Sequence, residues 1–176
     1  FVSLEHLLHD MRLYKSAAEL RAMKRAAKVA AAAHKRAMRL CEPGLWEYQI
    51  EAEFSHEFRR HGCHHAYNPI VGGGANGCIL HYNENNAQLN DGDLLLIDAG
   101  AEYECYASDI TRTFPVNGRF SKAQRALYEL VLAAQAAAIA KIKPGNHWNE
   151  PHDAAVKVLT AGLVKLGILK GRVAKL

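Results

Sequence analysis

Cysteine is scarce in this 176-residue chain, and its four copies, Cys41, Cys63, Cys78 and Cys105, form no C-x-x-C pair. That spacing argues against a disulfide framework or a zinc knuckle and for reduced packing thiols, the pattern of a cytoplasmic protein. No apolar run approaches the roughly 18 residues needed to span a bilayer, and no charged-then-apolar leader opens the chain, so no membrane role is expected. Lys and Arg are missing altogether from His61 to Thr111. What remains, 49% hydrophobic and 23% charged residues, suffices to bury one sizeable core, as a single domain or a piece of one.

The net charge of +4 is divided unevenly. Between Met11 and Leu40 nine cations face a single acid, Glu19. No stacking aromatics interleave with this basic stretch, so it reads as a solvated helical face and not as a nucleic-acid footprint. The cation-free stretch is different, because Glu84, Asp91, Asp93, Asp98, Glu102, Glu104 and Asp109 all fall within it. An external divalent metal would balance them.

Caps and periods give the coarse structure. Ser16-Ala17-Ala18-Glu19 is a capping box, and the alanine-rich stretch behind it predicts one long helix ending before Pro43-Gly44. Trp46, Ile50, Phe54 and Phe58 then draw a single helical stripe, with Gly62 as its C-terminal stop and Trp46 expected in the core. From Ala66 to Val116 the runs YNPIV, GCILHY, DLLLIDA and DITRTFPV predict strands of a largely antiparallel sheet. Ser121-Lys122-Ala123-Gln124 opens a second alanine-rich helix that stops at Pro144-Gly145, and a further helix runs from about Pro151 to Gly167. The order helix, Pro-Gly, helix, Gly thus occurs twice, which predicts a duplicated half whose second set of strands is missing.

Asp98 ends the apolar run Leu94 to Ile97, and Asp109 follows eleven residues later; the first cation beyond them is Arg112. A carboxylate beside a buried strand is costly unless something positive balances it. Strand alternation puts Leu94, Leu96 and Asp98 on one face and Asp109, Thr111 and Thr113 on one face of the later strand. If the segment near Glu102 to Cys105 turns back, the two carboxylates converge. Such a pair suits Mn, Mg, Ca or Zn, or else Asp98 caps a turn while Asp109 bonds a loop; spacing alone leaves both readings open.

The order NGCILHYNEN, DGDLLLIDAG and DITRTFPV, with the opening MRLYKSAAELRAMKRAA and the late AGLVKLGIL, resembles the pita-bread metallopeptidases. Within them it looks most like the proline-specific aminopeptidases, more so than the methionine aminopeptidases of the same fold. The resemblance spans essentially the whole chain. It implies an α+β pita-bread (creatinase/aminopeptidase) fold with pseudo-two-fold helix-helix-sheet halves, the second incomplete. Residues 1–176 would then be part of a catalytic metallopeptidase domain, without the family's N-terminal domain or the C-terminal part of the catalytic domain. It further implies that Asp98 and Asp109 are two of five ligands to two divalent metal ions, usually manganese, and that His81 is a catalytic group beside the substrate. The implied reaction removes an N-terminal residue from peptides with proline at the second position, using a hydroxide activated by both metals. A chain ending at Leu176 lacks the remaining ligands and is expected to be inactive alone. The resemblance also implies a homo-oligomer as a possible state of the full-length protein.

Other residues are discounted. His61, His64 and His65 in HGCHH read as loop or surface packing without regular zinc spacing. His147 and His152, five apart across Pro151, share no helical face. Gly72-Gly73-Gly74 lacks the Lys and Ser/Thr of a phosphate loop and reads as a flexible turn. A different class of function, a non-catalytic protein-interaction module on the same scaffold, is disfavoured by the two aspartates, and so is a metal-free creatinase-like hydrolase.

Overall fold

The computed structural model describes residues 3–173. Two compact units succeed one another along the chain, the first running through Arg119 and the second starting at Phe120. In the first unit, helices α1 (Glu5–Leu13), α2 (Ala17–Leu40) and α3 (Glu47–Arg60) precede six short strands. These are β1 (His64–His65), β2 (Ile70–Gly73), β3 (Leu94–Ala99), β4 (Ala101–Tyr103), β5 (Tyr106–Ala107) and β6 (Ile110–Pro115), with a 3-10 turn at Gly74–Cys78 after β2. Helix α1, not expected from the sequence, has no side-chain cap hydrogen bond and no buried residue. Among the described residues no helix is long and apolar enough to cross a membrane.

Helix α2 starts where its capping box requires: Ser16 Oγ accepts from Glu19 N, and Glu19 Oε2 accepts from Ser16 N. Its buried face is made chiefly of alanines, Ala22, Ala26, Ala30, Ala33 and Ala37, with Val29. Small side chains let α3 and the strands approach closely, and the core forms there from Ile50, Phe54 and Phe58 of α3 and Leu95, Ile97 and Ala99 of β3. The α3 stripe is as expected except at its first member. Trp46 precedes the first helical turn, is 39% exposed and stacks on Tyr48; there the helical period that would turn it inward has not begun.

The expected single sheet is two antiparallel three-stranded sheets, ordered β2-β3-β6 and β1-β4-β5. In the first, β3 is central, with Asp98 opposite Ile70 on one side and Thr111 on the other. Three of the four predicted runs contain strands. The fourth, GCILHY, does not: it leaves the 3-10 turn and runs through bends, with Ile79 and Leu80 exposed. An apolar run forms a strand only if a neighbour completes its ladder, and this one has none. Two smaller expectations also change. HGCHH is not wholly a loop, since His64 and His65 pair with Glu102 and Ala101. Gly72 and Gly73 belong to β2 and only Gly74, at φ 53 degrees, turns the chain into the 3-10 segment.

The second unit is a pair of helices, α4 (Lys122–Ile139) and α5 (Glu150–Lys165). Gly162 lets α5 pack closely on Leu130, whose side chain a Cβ there would strike. The repeat read from the sequence extends to backbone conformation. Ser16 and Ser121 cap with φ/ψ of -66/166 and -65/164 degrees. The glycines of the two Pro-Gly pairs, Gly44 and Gly145, have φ of 94 and 87 degrees, and those ending the next helices, Gly62 and Gly167, have 70 and 74.

Candidate functional site

Asp98 is held on the central strand β3, whose burial alternates strictly: Leu95, Ile97 and Ala99 face the core, while Leu94, Leu96 and Asp98 face the other way. Thr111 and Thr113 lie directly opposite Asp98 and Leu96 on β6, and Asp109 precedes Thr111 by two residues on that same face. Between the two aspartates the chain turns back through β4 and β5 across the two-residue turn Glu104-Cys105, which meets the condition on which convergence of the two carboxylates depended. Closure depends on Gly100, because a Cβ at that position would collide with the carbonyl oxygen of Ser108 and crowd the Tyr67 ring. Ser108 in turn bonds Ala101 through its backbone N and side chain. Asp109 is thereby delivered beside Asp98.

Tyr67 joins the pair. Its hydroxyl donates to Asp98 Oδ1 at 2.6 Å and lies 3.0 Å from Asp109 Oδ1. Burial, then the hydrogen bonds to both carboxylates, push this phenol well above its ordinary range, so it keeps its proton near neutrality. One proton serves one carboxylate at a time, and among the described residues no cation forms an ion pair with either aspartate. Arg112 cannot, because it is the cross-strand partner of Ile97 and so belongs to the opposite face of the sheet. Two adjacent, uncompensated carboxylates form the electrostatic setting that a divalent cation relieves.

Asp98, Asp109, Tyr67 and His81 line one open cavity of about 340 Å³, together with Asn68, Ile70 and Asn83. The structure therefore brings the three sequence-predicted residues together. Tyr67 was missed, and its only local signal is an aromatic in the run YNPIV. The three histidines of HGCHH go elsewhere, His61 to Glu57, His64 to Arg59 and His65 to Ser55. A second cavity of about 400 Å³ within the α4–α5 unit has Trp148, His147 and His152 in its wall but no acidic residue. Among the described residues no group of three or more His, Cys, Asp or Glu is arranged to hold a metal. The donor set thus fits two carboxylate positions of a metal site and does not complete a coordination shell.

Duplicated helix pairs and antiparallel strands converging two carboxylates on one cavity are the features of a pita-bread metallopeptidase domain. Comparison with known proteins agrees with that class. The model of metallopeptidase family M24 matches residues 21–173, and the chain belongs to that family. It is 52% identical over 171 residues to the Xaa-Pro aminopeptidase of Escherichia coli K12, covering 97% of this chain and 39% of that protein. It resembles the structure of Pseudomonas aeruginosa aminopeptidase PepP with a TM-score of 0.98 at 62% identity, over 99% of this chain and 40% of the other. It also resembles zinc-substituted E. coli aminopeptidase P in complex with product, with a TM-score of 0.96 at 50% identity, over 99% of this chain and 40% of the other. The chain spans about two-fifths of the length of these relatives.

Proposed function

We propose that this chain is part of the catalytic domain of a metal-dependent aminopeptidase that hydrolyses the bond between an N-terminal residue and a following proline. The observation that carries the reading is the Tyr67 hydroxyl shared by Asp98 and Asp109, with no ion-pair partner for either carboxylate among the described residues. The names of the relatives, Xaa-Pro aminopeptidase and aminopeptidase P, supply the substrate class. Asp98 and Asp109 would hold part of a pair of divalent metal ions, for which manganese is the expected occupant. When bound, such metals supply Lewis acidity and a nucleophile usable near neutral pH.

The chain's own residues do the rest of the work assigned to this piece. Tyr67 orients both carboxylates through an oxygen that stays protonated. His81, at the rim of the same cavity, carries a ring suited to bond the substrate or pass a proton to the departing proline nitrogen. Ile70 and the neutral Asn68 and Asn83 complete the wall without adding charge.

Two aspartates cannot provide the roughly four to six donors each metal needs. This chain alone is expected to bind manganese weakly and to leave X-Pro peptides intact. A chain extended to its relatives' length should bind manganese tightly and cleave X-Pro peptides, and Asp109→Ala in that form should cut turnover by at least about 10³-fold by removing one of the two proposed carboxylate ligands. Calorimetric manganese titration and an X-Pro peptide assay on both lengths test this. Full metal-dependent turnover by the short chain would relocate the site, and an extended chain that bound no metal would favour an interaction module.

A further inference from the structure

Glu47 is a carboxylate with no exposed surface in the first turn of α3, and among the described residues it has no ion-pair partner. It is instead surrounded by donors. Oε1 accepts from Gly73 N at 2.8 Å and Asn76 Nδ2 at 3.1 Å. Oε2 accepts from the Tyr82 hydroxyl at 2.6 Å and from Ala87 N at 2.9 Å. Asn76 Nδ2 also reaches the Tyr82 oxygen at 3.0 Å. Four donors from the end of β2, the 3-10 turn and the segment after it meet on one side chain. Such convergence fixes segments that have no ladder of their own.

His81 is the residue that needs fixing. It is exposed, its ring has no hydrogen bond of its own among the described residues, and its backbone sits at φ 55 degrees. That left-handed conformation is uncommon for a residue with a Cβ, though histidine enters it more readily than most. The next residue, Tyr82, is the one Glu47 holds. Three residues further on, Asn85 takes the same left-handed conformation, φ 46 degrees, which suits asparagine. Its side chain accepts from Val71 N and donates to Pro69 O and to Glu51 Oε2, all at 2.9 Å. Glu47 and Glu51 are one helical turn apart, so one face of α3 clamps the His81 segment at two points.

We propose that Glu47 is a positioning residue: its buried carboxylate, acting through Tyr82, holds His81 at the Asp98–Asp109 cavity. The proposal rests on the aminopeptidase reading only for the consequence in catalysis; the positional claim stands on geometry. In Glu47→Gln the amide nitrogen turns a donor toward donors that the second carboxylate oxygen had satisfied, and the segment loosens. Tyr82→Phe removes one donor and preserves the ring, which leaves a variant that folds if Glu47→Gln does not.

Three measurements on the chain at its relatives' length test it. In the metal-free protein with 15N-labelled histidine, the His81 ring resonances should be single and sharp, and should broaden or split in either variant; unchanged resonances would overturn the proposal whatever the activity. Manganese affinity should stay within about twofold, because the side chains of Asp98 and Asp109 bond Tyr67 and not Glu47 or its donors. X-Pro turnover should fall in kcat by about 10²-fold, and Glu47→Gln should cost nothing further in a His81→Ala background. An added loss in that background would overturn the proposal in favour of a general structural role. If His81→Ala itself leaves turnover intact, the role assigned to His81 fails, while the resonance test still decides the positional claim.

Discussion

His34 lies in the middle of α2, only 3% exposed, with its ring edge-on to Phe54 at 4.9 Å between centroids. No hydrogen bond of acceptable geometry reaches either ring nitrogen. Burial lowers its pKa below the ordinary imidazole value, and the nearby backbones of Ala99 and Ile110 offset this only in part. The unfolded chain therefore takes up a proton on acidification that the folded chain refuses. The contribution of neutral His34 to stability is fully present above about pH 6.5 and is lost as pH falls through the lowered folded value. Urea midpoints followed downward from neutral pH should fall more steeply for the wild type than for His34→Leu. Parallel slopes would mean that His34 takes its proton without unfolding anything. Like Glu47, His34 is an ordinary polar residue in the sequence, and only its surroundings make it unusual.

At the scale of elements, the helices follow from local chemistry and the strands do not. Capping boxes start α2 and α4 and Pro43-Gly44 follows the end of α2, but α4 stops at Ile139, short of the expected Pro144-Gly145, and β4 and β5, three and two residues long, have no periodicity to read. Their turn uses Glu104 and Cys105 at φ 49 and 68 degrees, a left-handed pair that a two-residue hairpin favours and that Asn-Gly usually fills. Neither residue signals a tight turn in the sequence. Cys105 is exposed, so Cys105→Gly should relieve strain at little cost in packing and raise stability by about 1 kcal/mol. A higher urea midpoint with an unchanged slope would show it. A lower midpoint would mean that the Cys105 side chain, or the lost backbone restriction, outweighs the strain.

For the whole molecule, burial is uneven between the two units. The first has a continuous core joining α2, α3 and β3. In the second, Ala134 is the one buried side chain among the described residues of α4 and α5, while Leu127, Val131, Leu132 and Ile139 are exposed. Helix pairs draw their stability chiefly from a covered apolar face and little from propensity. Amides of α4 and α5 in this chain should exchange with solvent at least about tenfold faster than those in the core turns of α2. Hydrogen exchange followed by mass spectrometry measures this directly. Equal protection would show that the second unit is stabilised by more than its own two helices.

The sequence by itself determined the parts governed by near neighbours. It set the ends of α2, the start of α4, the buried stripe Ile50, Phe54 and Phe58, the alternation that turns Asp98 away from the core, and the repeat that later appears in matched glycine angles. It also carried the motifs by which the family can be named. The tertiary structure decided everything that depends on distant chain meeting: Tyr67, 31 and 42 residues from the aspartates it joins, the closure at Gly100, and the split into two sheets. It sent Ile79 and Leu80 outward and surrounded Glu47 with donors up to 40 residues away. The physical reason is the same in each case. Caps and stripes are satisfied within a few residues, but a buried carboxylate or an unpaired strand edge is satisfied only by a partner that cross-strand register brings to it.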